Sequence, residues 1–355
     1  MNAITDKNTM ADSAPANAIE MRGLTKIFGN DPQSALALLE SGRSKTDVQA
    51  ETGHVIGLNN VSLDVARSQI FVVMGLSGSG KSTLIRHVNR LIDPTAGEII
   101  VDGVDVLKMS LEELRAFRRT KVAMVFQKFG LLPHRSVIDN VAYGLEVRGV
   151  GRKQRLETAE KWIETVGLKG YENSRIRQLS GGQQQRVGLA RALSLDTDII
   201  LMDEAFSALD PLIRAGMQDE LITLQKTLHK TILFITHDFD EALKIGDRIA
   251  VLKDGALVQE GKPEDIVLRP ANEHIEEFVA QVNKARAIHV RSIMEKGDHE
   301  PCEQSVDMDA RCEDVLPLFA EQQWVGVMDR DGRQVGRVTA KQVIKALARH
   351  TPGVP

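Results

Sequence analysis

The residues Gly75 to Thr83 (GLSGSGKST) have the types and spacing of a phosphate-binding loop between a predicted strand and a predicted helix. Glycines let backbone N–H groups surround an anion, and the N-terminus of the helix adds the positive end of its dipole. We expect Lys81 to reach the β- and γ-phosphates and the Ser82 hydroxyl to bind Mg²⁺. The loop predicts a nucleoside triphosphate site formed by Gly75, Ser77, Gly78, Ser79, Gly80, Lys81, Ser82 and Thr83.

Two adjacent carboxylates follow the apolar run from Ile199 to Met202 in the sequence DIILMDE. That run predicts a buried strand, so we expect both carboxylates at the strand end, beside the phosphate loop. Asp203 would complete the Mg²⁺ shell through water, and Glu204 would orient or deprotonate an attacking water. The pair therefore predicts hydrolysis of the bound triphosphate.

A second turn of the phosphate-binding type opens the predicted helix in QLSGGQQQRVGLARAL, from Gln178 to Leu193. The same helix-terminus physics applies there, but one chain has only one γ-phosphate to bind. Two chains facing each other head to tail would use both turns. We therefore expect ATP contacts across a dimer from Ser180, Gly181, Gly182 and Gln183.

Together these motifs resemble the ATPase subunits of ABC transporters, whose signature is LSGGQ and whose dimer encloses two ATP molecules. The resemblance covers Ile19 to about residue 280. It implies roles for four further residues: Phe28 stacks on adenine, Gln127 of the Q-loop approaches the metal and the attacking water, Asp210 belongs to the D-loop, and His237 is the switch histidine. The implied Mg²⁺ ligands are Ser82, Gln127 and Asp203.

Within that family, the closest resemblance is to importers of quaternary amines, namely glycine betaine, proline betaine and choline. It rests on the KIFG turn, a long insertion before the phosphate loop, the run MDEAFSALDPLIR and a trailing C-terminal segment. Two alternatives stay open: an importer ATPase for another solute such as an amino acid, and a non-transport ABC ATPase. No coiled-coil insertion or second cassette is readable in the sequence, which disfavours the second.

The resemblance also implies partners and a location. A second copy of the chain would complete the ATP sites, an integral membrane permease would receive the motion, and a substrate-binding protein would act indirectly. The chain would lie on the cytoplasmic face of the inner membrane. Its net charge of -4, from 45 basic and 49 acidic residues, does not suggest a nucleic-acid partner.

The elements that must position these residues alternate regularly between about residue 70 and residue 260. Short apolar strands (IFVVM, VAMVF, DIILMD, TILFIT) alternate with helical segments, which predicts a parallel α/β sheet. The run RIAVLKDGALVQEG predicts a closing hairpin with Asp254 and Gly255 in its turn. The resemblance implies a P-loop NTPase fold with a RecA-like core, an antiparallel β subdomain and an α-helical subdomain.

We expect residues 1–18 to be a flexible tail, 19–285 the ATPase domain and 286–355 a small α+β unit. One or two short helices are predicted in the insertion 31–53. The resemblance implies a helical subdomain over about 128–185.

The C-terminal sequence from Val325 to Leu347 predicts strand, Asp-Gly turn, strand and amphipathic helix, and it is similar to the second half of a CBS repeat. Nucleotide-binding repeats tend to show Thr-x-x-Asp after the second strand, whereas Thr339 is followed by Gln342. Whether this unit senses ionic strength, binds nucleotide or only dimerises stays open.

Composition sets further bounds. A chain of 355 residues, 42% of them apolar, can bury a sizeable core, and its length suggests about two domains. Aromatic residues make up only 4%, and the tryptophans and tyrosines are scattered, so no aromatic cage for a quaternary ammonium is readable. No run of about 18 apolar residues suits a membrane-spanning helix. Two cysteines, Cys302 and Cys312, fit a reducing cytoplasm.

Overall fold

The computed structural model describes residues 17–127, 130–207, 209–297, 300, 302 and 304–348. The predicted tail 1–18 therefore lies almost wholly outside the described residues.

The strands are β1 (Asn17–Phe28), β2 (Val55–Ala66), β3 (Ile70–Met74), β4 (Ala96–Val101), β5 (Val104–Asp105), β6 (Val122–Val125), β7 (Ile199–Asp203), β8 (Thr231–Thr236), β9 (Arg248–Lys253), β10 (Ala256–Gly261), β11 (Glu295–Lys296), β12 (Ser305–Asp307), β13 (Trp324–Met328) and β14 (Gln334–Thr339).

The helices are α1 (Pro32–Glu40), α2 (Lys45–Thr52), α3 (Lys81–Val88), α4 (Leu111–Thr120), α5 (Val137–Val147), α6 (Arg152–Thr165), α7 (Gly181–Ser194), α8 (Pro211–Leu228), α9 (Phe239–Ile245), α10 (Pro263–Leu268), α11 (Glu273–Ala280), α12 (Cys312–Val315) and α13 (Ala340–Leu347). Among the described residues, no helix combines the length and the apolar character that crossing a bilayer demands.

A six-stranded sheet in the order β10-β9-β3-β8-β7-β6 forms the centre of the fold. The pairs from β6 to β9 are parallel, and β10 runs antiparallel to β9. Every residue of β3, β7 and β8 is buried, because layers on both faces cover a parallel sheet. The predicted parallel strands are confirmed.

The predicted hairpin is confirmed as well. Asp254 and Gly255 connect β9 to β10 with φ angles of 51° and 82°. Two successive positive φ angles are what a tight hairpin turn requires.

Strand register determines which residues meet at the carboxyl edge of the central sheet. Met74 of β3 pairs with Thr236 of β8, and Asp203 of β7 pairs with Ile235. The segments that follow these strands therefore leave the sheet side by side. Ligands of open α/β sheets bind at this edge.

An antiparallel sheet in the order β2-β1-β4-β5 covers one side of the central sheet. Its residues, such as Ile19 and Leu63, share a core with Phe71 and Val73 of β3. β2 lies at the edge of this sheet, and β3 lies inside the central sheet. This sheet also carries Phe28 at the end of β1.

The predicted insertion forms two short helices, α1 and α2. Asp31 caps α1 ahead of Pro32, and the Ser44 side chain caps α2 by accepting a hydrogen bond from the N–H of Asp47. Gly53 then ends α2 in the left-handed conformation, at a φ of 71°. Each helix therefore has the local start signal that its sequence offers.

Helices α5, α6 and α7 pack on one another through buried residues such as Val141, Ile163 and Val187. They occupy the region in which a helical subdomain is predicted. Helix α7 continues to Ser194, past residue 185 where the helical subdomain was predicted to end, and it contacts β6.

The C-terminal segment forms the sheet β11-β14-β13-β12 with α13 following β14. The predicted strand, turn, strand and helix are confirmed. Thr339 and Gln342 form a capping box: Thr339 Oγ1 accepts from the Gln342 N–H at 3.3 Å, and Gln342 Oε1 accepts from the Thr339 N–H at 2.8 Å. The glutamine at this position therefore begins α13.

Apolar residues of this sheet pack with other apolar residues of the same chain. Val325 and Val338 belong to the same continuous core as Ile275 and Ile288, which precede the sheet in sequence. Much of the burial of this sheet is thus supplied by the chain itself.

A buried carboxylate, Glu264 of α10, contacts the C-terminal segment. His289 Nδ1 lies 3.6 Å and Arg291 Nη2 lies 3.4 Å from its oxygens, and the side chain is 8% exposed. Burial by itself raises the pKa of Glu264, but His289, a backbone N–H and Arg291 outweigh it and lower the pKa to about 2.

We expect Glu264→Gln to lower the free energy of unfolding at pH 7 by about 1–3 kcal/mol, because Arg291 and His289 lose a buried charged partner. The folded pKa of about 2 lies below the ordinary value of 4.5. The stabilisation is therefore complete above about pH 4.5 and is lost as the pH falls towards 2. Urea unfolding at pH 7 and pH 3 measures it, with Glu273→Gln, an exposed carboxylate of α11, as the control. An equal deficit at both pH values would contradict this assignment.

Candidate functional site

The loop between β3 and α3 has the backbone that its glycines predict. Gly75 and Gly80 have φ angles of 151° and 99°. A Cβ at Gly75 would lie 2.1 Å from the carbonyl oxygen of Leu252, and one at Gly80 would lie 2.4 Å from that of Gly57. No side chain fits at either position, so the loop needs glycine for both conformation and space.

Lys81 is folded back along this loop. Its Nζ donates to the carbonyl oxygens of Gly75 at 2.7 Å and Leu76 at 2.9 Å. Burial lowers the pKa of Lys81, and the nearby Glu204 and Asp203 partly oppose that effect. A buried ammonium held against carbonyls at the base of a loop is a preformed contact for a phosphate group.

Asp203, at the end of β7, is fully buried and held by two residues of α3. Ser82 Oγ donates to its Oδ1 at 2.8 Å, and Arg86 Nη2 lies 3.1 Å from its Oδ2. Ser82 and Arg86 are four residues apart, so both lie on the same face of the helix.

These oxygens suit Mg²⁺, which prefers hard oxygen ligands and usually keeps several waters. The predicted set is the Ser82 hydroxyl, Gln127, and Asp203 through water. No group of three or more His, Cys, Asp or Glu side chains suited to a metal was found in the part of the chain that the structure describes. The donors present fit an ion that substrate phosphates also bind.

Glu204 follows Asp203 in the left-handed conformation, at a φ of 47°. Its N–H donates to the Ile235 carbonyl at 3.0 Å, which fixes it against the end of β8. Its Oε2 accepts a hydrogen bond from Gln127 Nε2 at 2.9 Å and lies 3.4 Å from His237 Nδ1. The three residues proposed for catalysis thus meet at one carboxylate, although they follow three different strands.

A cavity of about 380 Å³ opens beside these groups. The predicted residues that line it are Phe28, Ser77, Gly78, Gly80, Lys81, Ser82, Thr83, Gln127 and Glu204. Gly75 and Ser79 lie behind the loop: the Ser79 carbonyl accepts from the Gly255 N–H at 3.1 Å. Phe28 is 40% exposed at one end of the cavity, away from the phosphate loop in sequence but beside it in space.

Five lining residues were not predicted from the sequence: Lys45, Gln49, Val55, Ile56 and Gly57. Their position depends on a tertiary pairing: the insertion leaves the antiparallel sheet at Phe28 and returns at Val55, and these two residues pair. Helices enclosed between paired strand ends must lie at that end. Arg86 was also missed, although its spacing from Ser82 on α3 places it beside Asp203.

The structure does not bring the signature residues to this cavity. Ser180 caps α7 in a capping box with Gln183 and is exposed, and neither it nor Gly181 and Gly182 line the cavity. Asp210 caps α8, where it accepts from the Ile213 N–H at 3.1 Å. Within one chain, the second phosphate-binding turn is separate from the first.

An ATP-hydrolysing cassette is defined by a phosphate loop, a buried aspartate, a glutamate and a histidine at one edge of a parallel sheet. A helix capped by the LSGGQ turn lies apart from them. Residues 58–207 match the family described as ABC transporter. The chain belongs to the ATP-binding subunits of this family, which bind ATP and couple its hydrolysis to transport.

Relatives support this assignment over most of the chain. The glycine betaine transport ATP-binding protein of Bacillus subtilis is 51% identical over 79% of this chain and 67% of its own length. The trimethylamine N-oxide transport system ATP-binding protein of Ruegeria pomeroyi is 49% identical over 88% and 95%.

A solved structure, the dimeric post-hydrolysis state of an ATP-binding cassette bound to ADP and Pi, superposes with a TM-score of 0.59 at 31% identity. It covers 69% of this chain and 98% of that one. The predicted P-loop NTPase fold is thereby confirmed.

Proposed function

We propose that the chain energises uptake of a quaternary amine osmolyte, such as glycine betaine, proline betaine or choline, through a separate permease. The observation that carries the proposal is the 51% identity to a glycine betaine transport subunit over 79% of the chain. The cargo would bind elsewhere in the transporter, since aromatic faces are what hold a quaternary ammonium and Phe28 is the one aromatic residue among the described residues that line the cavity beside the phosphate loop.

Trimethylamine N-oxide is the second candidate cargo. The relative named for it is 49% identical, and the match covers 95% of its length, against 67% for the glycine betaine relative. Both molecules are small and carry a fully methylated nitrogen. The amino-acid alternative finds no support among the relatives described above, and both of them are named for transport, which counts against a non-transport ATPase.

In the proposed reaction, Lys81 and the backbone of the phosphate loop bind the β- and γ-phosphates, and Phe28 stacks on the adenine. Ser82, Gln127 and Asp203 hold Mg²⁺, which when bound neutralises charge on the phosphates. Glu204 accepts a proton from water as the water oxygen bonds to the γ-phosphorus, and ADP departs with the electrons of the broken P–O bond. His237 and Gln127 hold the Glu204 carboxylate in place.

We also propose that two copies of the chain enclose two ATP molecules. Support comes from the exposed signature turn at Ser180, which is remote from its own cavity, and from the dimeric state of the solved cassette. Asp210 would face the partner copy. A permease would receive the resulting motion at the cytoplasmic face of the inner membrane, with a substrate-binding protein acting on the other side.

The proposed domain bounds are 19–285 for the ATPase, with an insertion at 31–53 and a helical subdomain at about 128–185, and 286–355 for the C-terminal unit. The helices α1 and α2 and the C-terminal sheet fall within the ranges proposed for them. Either dimerisation or regulation would suit a unit that packs on the ATPase core.

The cargo can be assigned with proteoliposomes that contain the transporter purified through a tag on this chain. We expect ATP-dependent uptake of labelled glycine betaine, which the Glu204→Gln transporter does not show. Excess unlabelled choline or proline betaine should compete. Uptake of labelled trimethylamine N-oxide without uptake of glycine betaine would favour the second candidate. Uptake of a labelled amino acid alone would refute both.

A further inference from the structure

We propose that Gln49, on the inserted helix α2, contacts the N6/N7 edge of the nucleotide base and selects adenine. The inference rests on the proposal that the cavity beside the phosphate loop holds ATP. Stacking on Phe28 cannot make this selection, because every base has a π-face and base–aromatic stacking tolerates any of them. A residue that reads the edge of the base is therefore required if the site distinguishes ATP from other purine triphosphates.

Helix α2 is held rigidly at the end of the cavity where Phe28 lies. A small core of Ile27, Ala35, Val48 and Ile56 joins both inserted helices to β1 and β2. The buried His54 ring adds a link, because its Nε2 accepts from the Asp31 N–H at 3.1 Å.

Lys45 ties the start of α2 to the turn between β9 and β10. Its Nζ donates to the Asp254 carbonyl at 3.0 Å, and the neighbouring Gly255 N–H donates to Ser79 of the phosphate loop at 3.1 Å. The inserted helix and the phosphate loop are therefore fixed to the same turn. A side chain on this face of α2 has a defined position relative to bound phosphates.

Gln49 lies one turn after Lys45, so the two residues share a face of α2, and both line the cavity. Val48 points instead into the small core. At this end of the cavity the other lining residues are Phe28, Val55, Ile56 and Gly57, none of which has a polar side chain. Gln49 is therefore the side chain here that combines a hydrogen-bond donor with an acceptor.

Gly57 leaves room for the Phe28 ring because it has no side chain. A Cβ at this position would lie 2.8 Å from Phe28 Cε2, so a larger residue would displace the ring. With the ring lying across Gly57, a base stacked on it would present an edge to the neighbouring helix α2.

The chemistry of the amide fits adenine in particular. Glutamine pairs with adenine by accepting from N6–H and donating to N7. Hypoxanthine and guanine present two acceptors at that edge, so an amide in either orientation satisfies only one of them. Lys45 cannot select adenine, because an ammonium only donates and would favour the two acceptors of guanine or hypoxanthine, and this one already bonds to Asp254.

The experiment compares kcat/KM for ATP, inosine triphosphate and 7-deaza-ATP in the full-length chain. We expect the wild type to prefer ATP to each analogue by about tenfold, since each analogue removes one partner of the amide. In Gln49→Ala both preferences should fall to about one, through a higher KM for ATP. Alanine is the better helix former, so α2 is retained in the variant.

Gln33→Ala is the matched control, because Gln33 is an exposed glutamine of the other inserted helix and does not line the cavity. It should keep the wild-type preferences. A wild type that hydrolyses all three nucleotides equally well, or a Gln49→Ala variant that keeps the wild-type ratios, would overturn the inference. If the proposed function fails, the result is different: the wild type then shows no more ATPase activity than Glu204→Gln.

Discussion

Glu204→Gln is expected to slow ATP hydrolysis by about 10²–10⁴-fold while leaving ATP binding intact, because the amide cannot accept a proton from water. The substitution is nearly isosteric, and the φ of 47° at this position is no harder for glutamine than for glutamate. Lys81 and the phosphate loop are unchanged, so the nucleotide should still bind. Single-turnover release of phosphate and equilibrium binding of labelled ATP measure the two effects separately.

The same variant should accumulate as an ATP-bound dimer, which sedimentation or size-exclusion chromatography in ATP would reveal. Glu112→Gln is the control, since it makes the same chemical change at an exposed carboxylate of α4. Normal turnover in Glu204→Gln would remove this residue from the role of base. The contacts from Gln127 and His237 would then have to be explained as structural.

Ser180→Arg is expected to abolish ATP hydrolysis without weakening the binding of ATP to a single chain. The signature turn does not line the cavity of its own chain, so an arginine there leaves the phosphate loop unobstructed. In a head-to-tail dimer the same side chain would meet the γ-phosphate end of the partner's site and block closure. Steady-state ATPase activity and ATP affinity at low protein concentration give the two readouts.

Loss of the helix cap is a separate consequence of this substitution and needs its own control. Ser180 caps α7 in a capping box with Gln183, and its loss costs about 1 kcal/mol. Ser110→Arg removes an equivalent exposed cap from α4, where Ser110 and Glu113 form the same box. We expect it to hydrolyse ATP normally. Equal loss of ATP affinity and hydrolysis in Ser180→Arg would argue against the facing dimer.

Local sequence was sufficient wherever a structure depends on neighbours along the chain. The strand before Gly75, the positive φ angles of the phosphate loop and the turn at Asp254 follow from residue type alone. The two inserted helices carry readable caps at Asp31 and Ser44. Backbone sterics and short-range hydrogen bonds govern these features, and both are encoded within a few residues.

The C-terminal segment shows how a local signal can be interpreted too narrowly. Thr339 followed by Gln342 departs from the Thr-x-x-Asp pattern of nucleotide-binding repeats. The same pair is a capping box, a signature that the sequence displays and the structure contains. Val325 and Val338 share one continuous core with Ile275, which is far from them in sequence, so no local pattern revealed it.

The sequence by itself determined the family, the triphosphate loop and the residue types available for hydrolysis. The tertiary structure decided which of them meet. Gln127, Glu204 and His237 converge because β6, β7 and β8 are neighbours in the sheet, and strand order is a non-local property. It likewise placed Gln49 in the cavity and kept Ser180 out of it, because both positions depend on how distant segments pack.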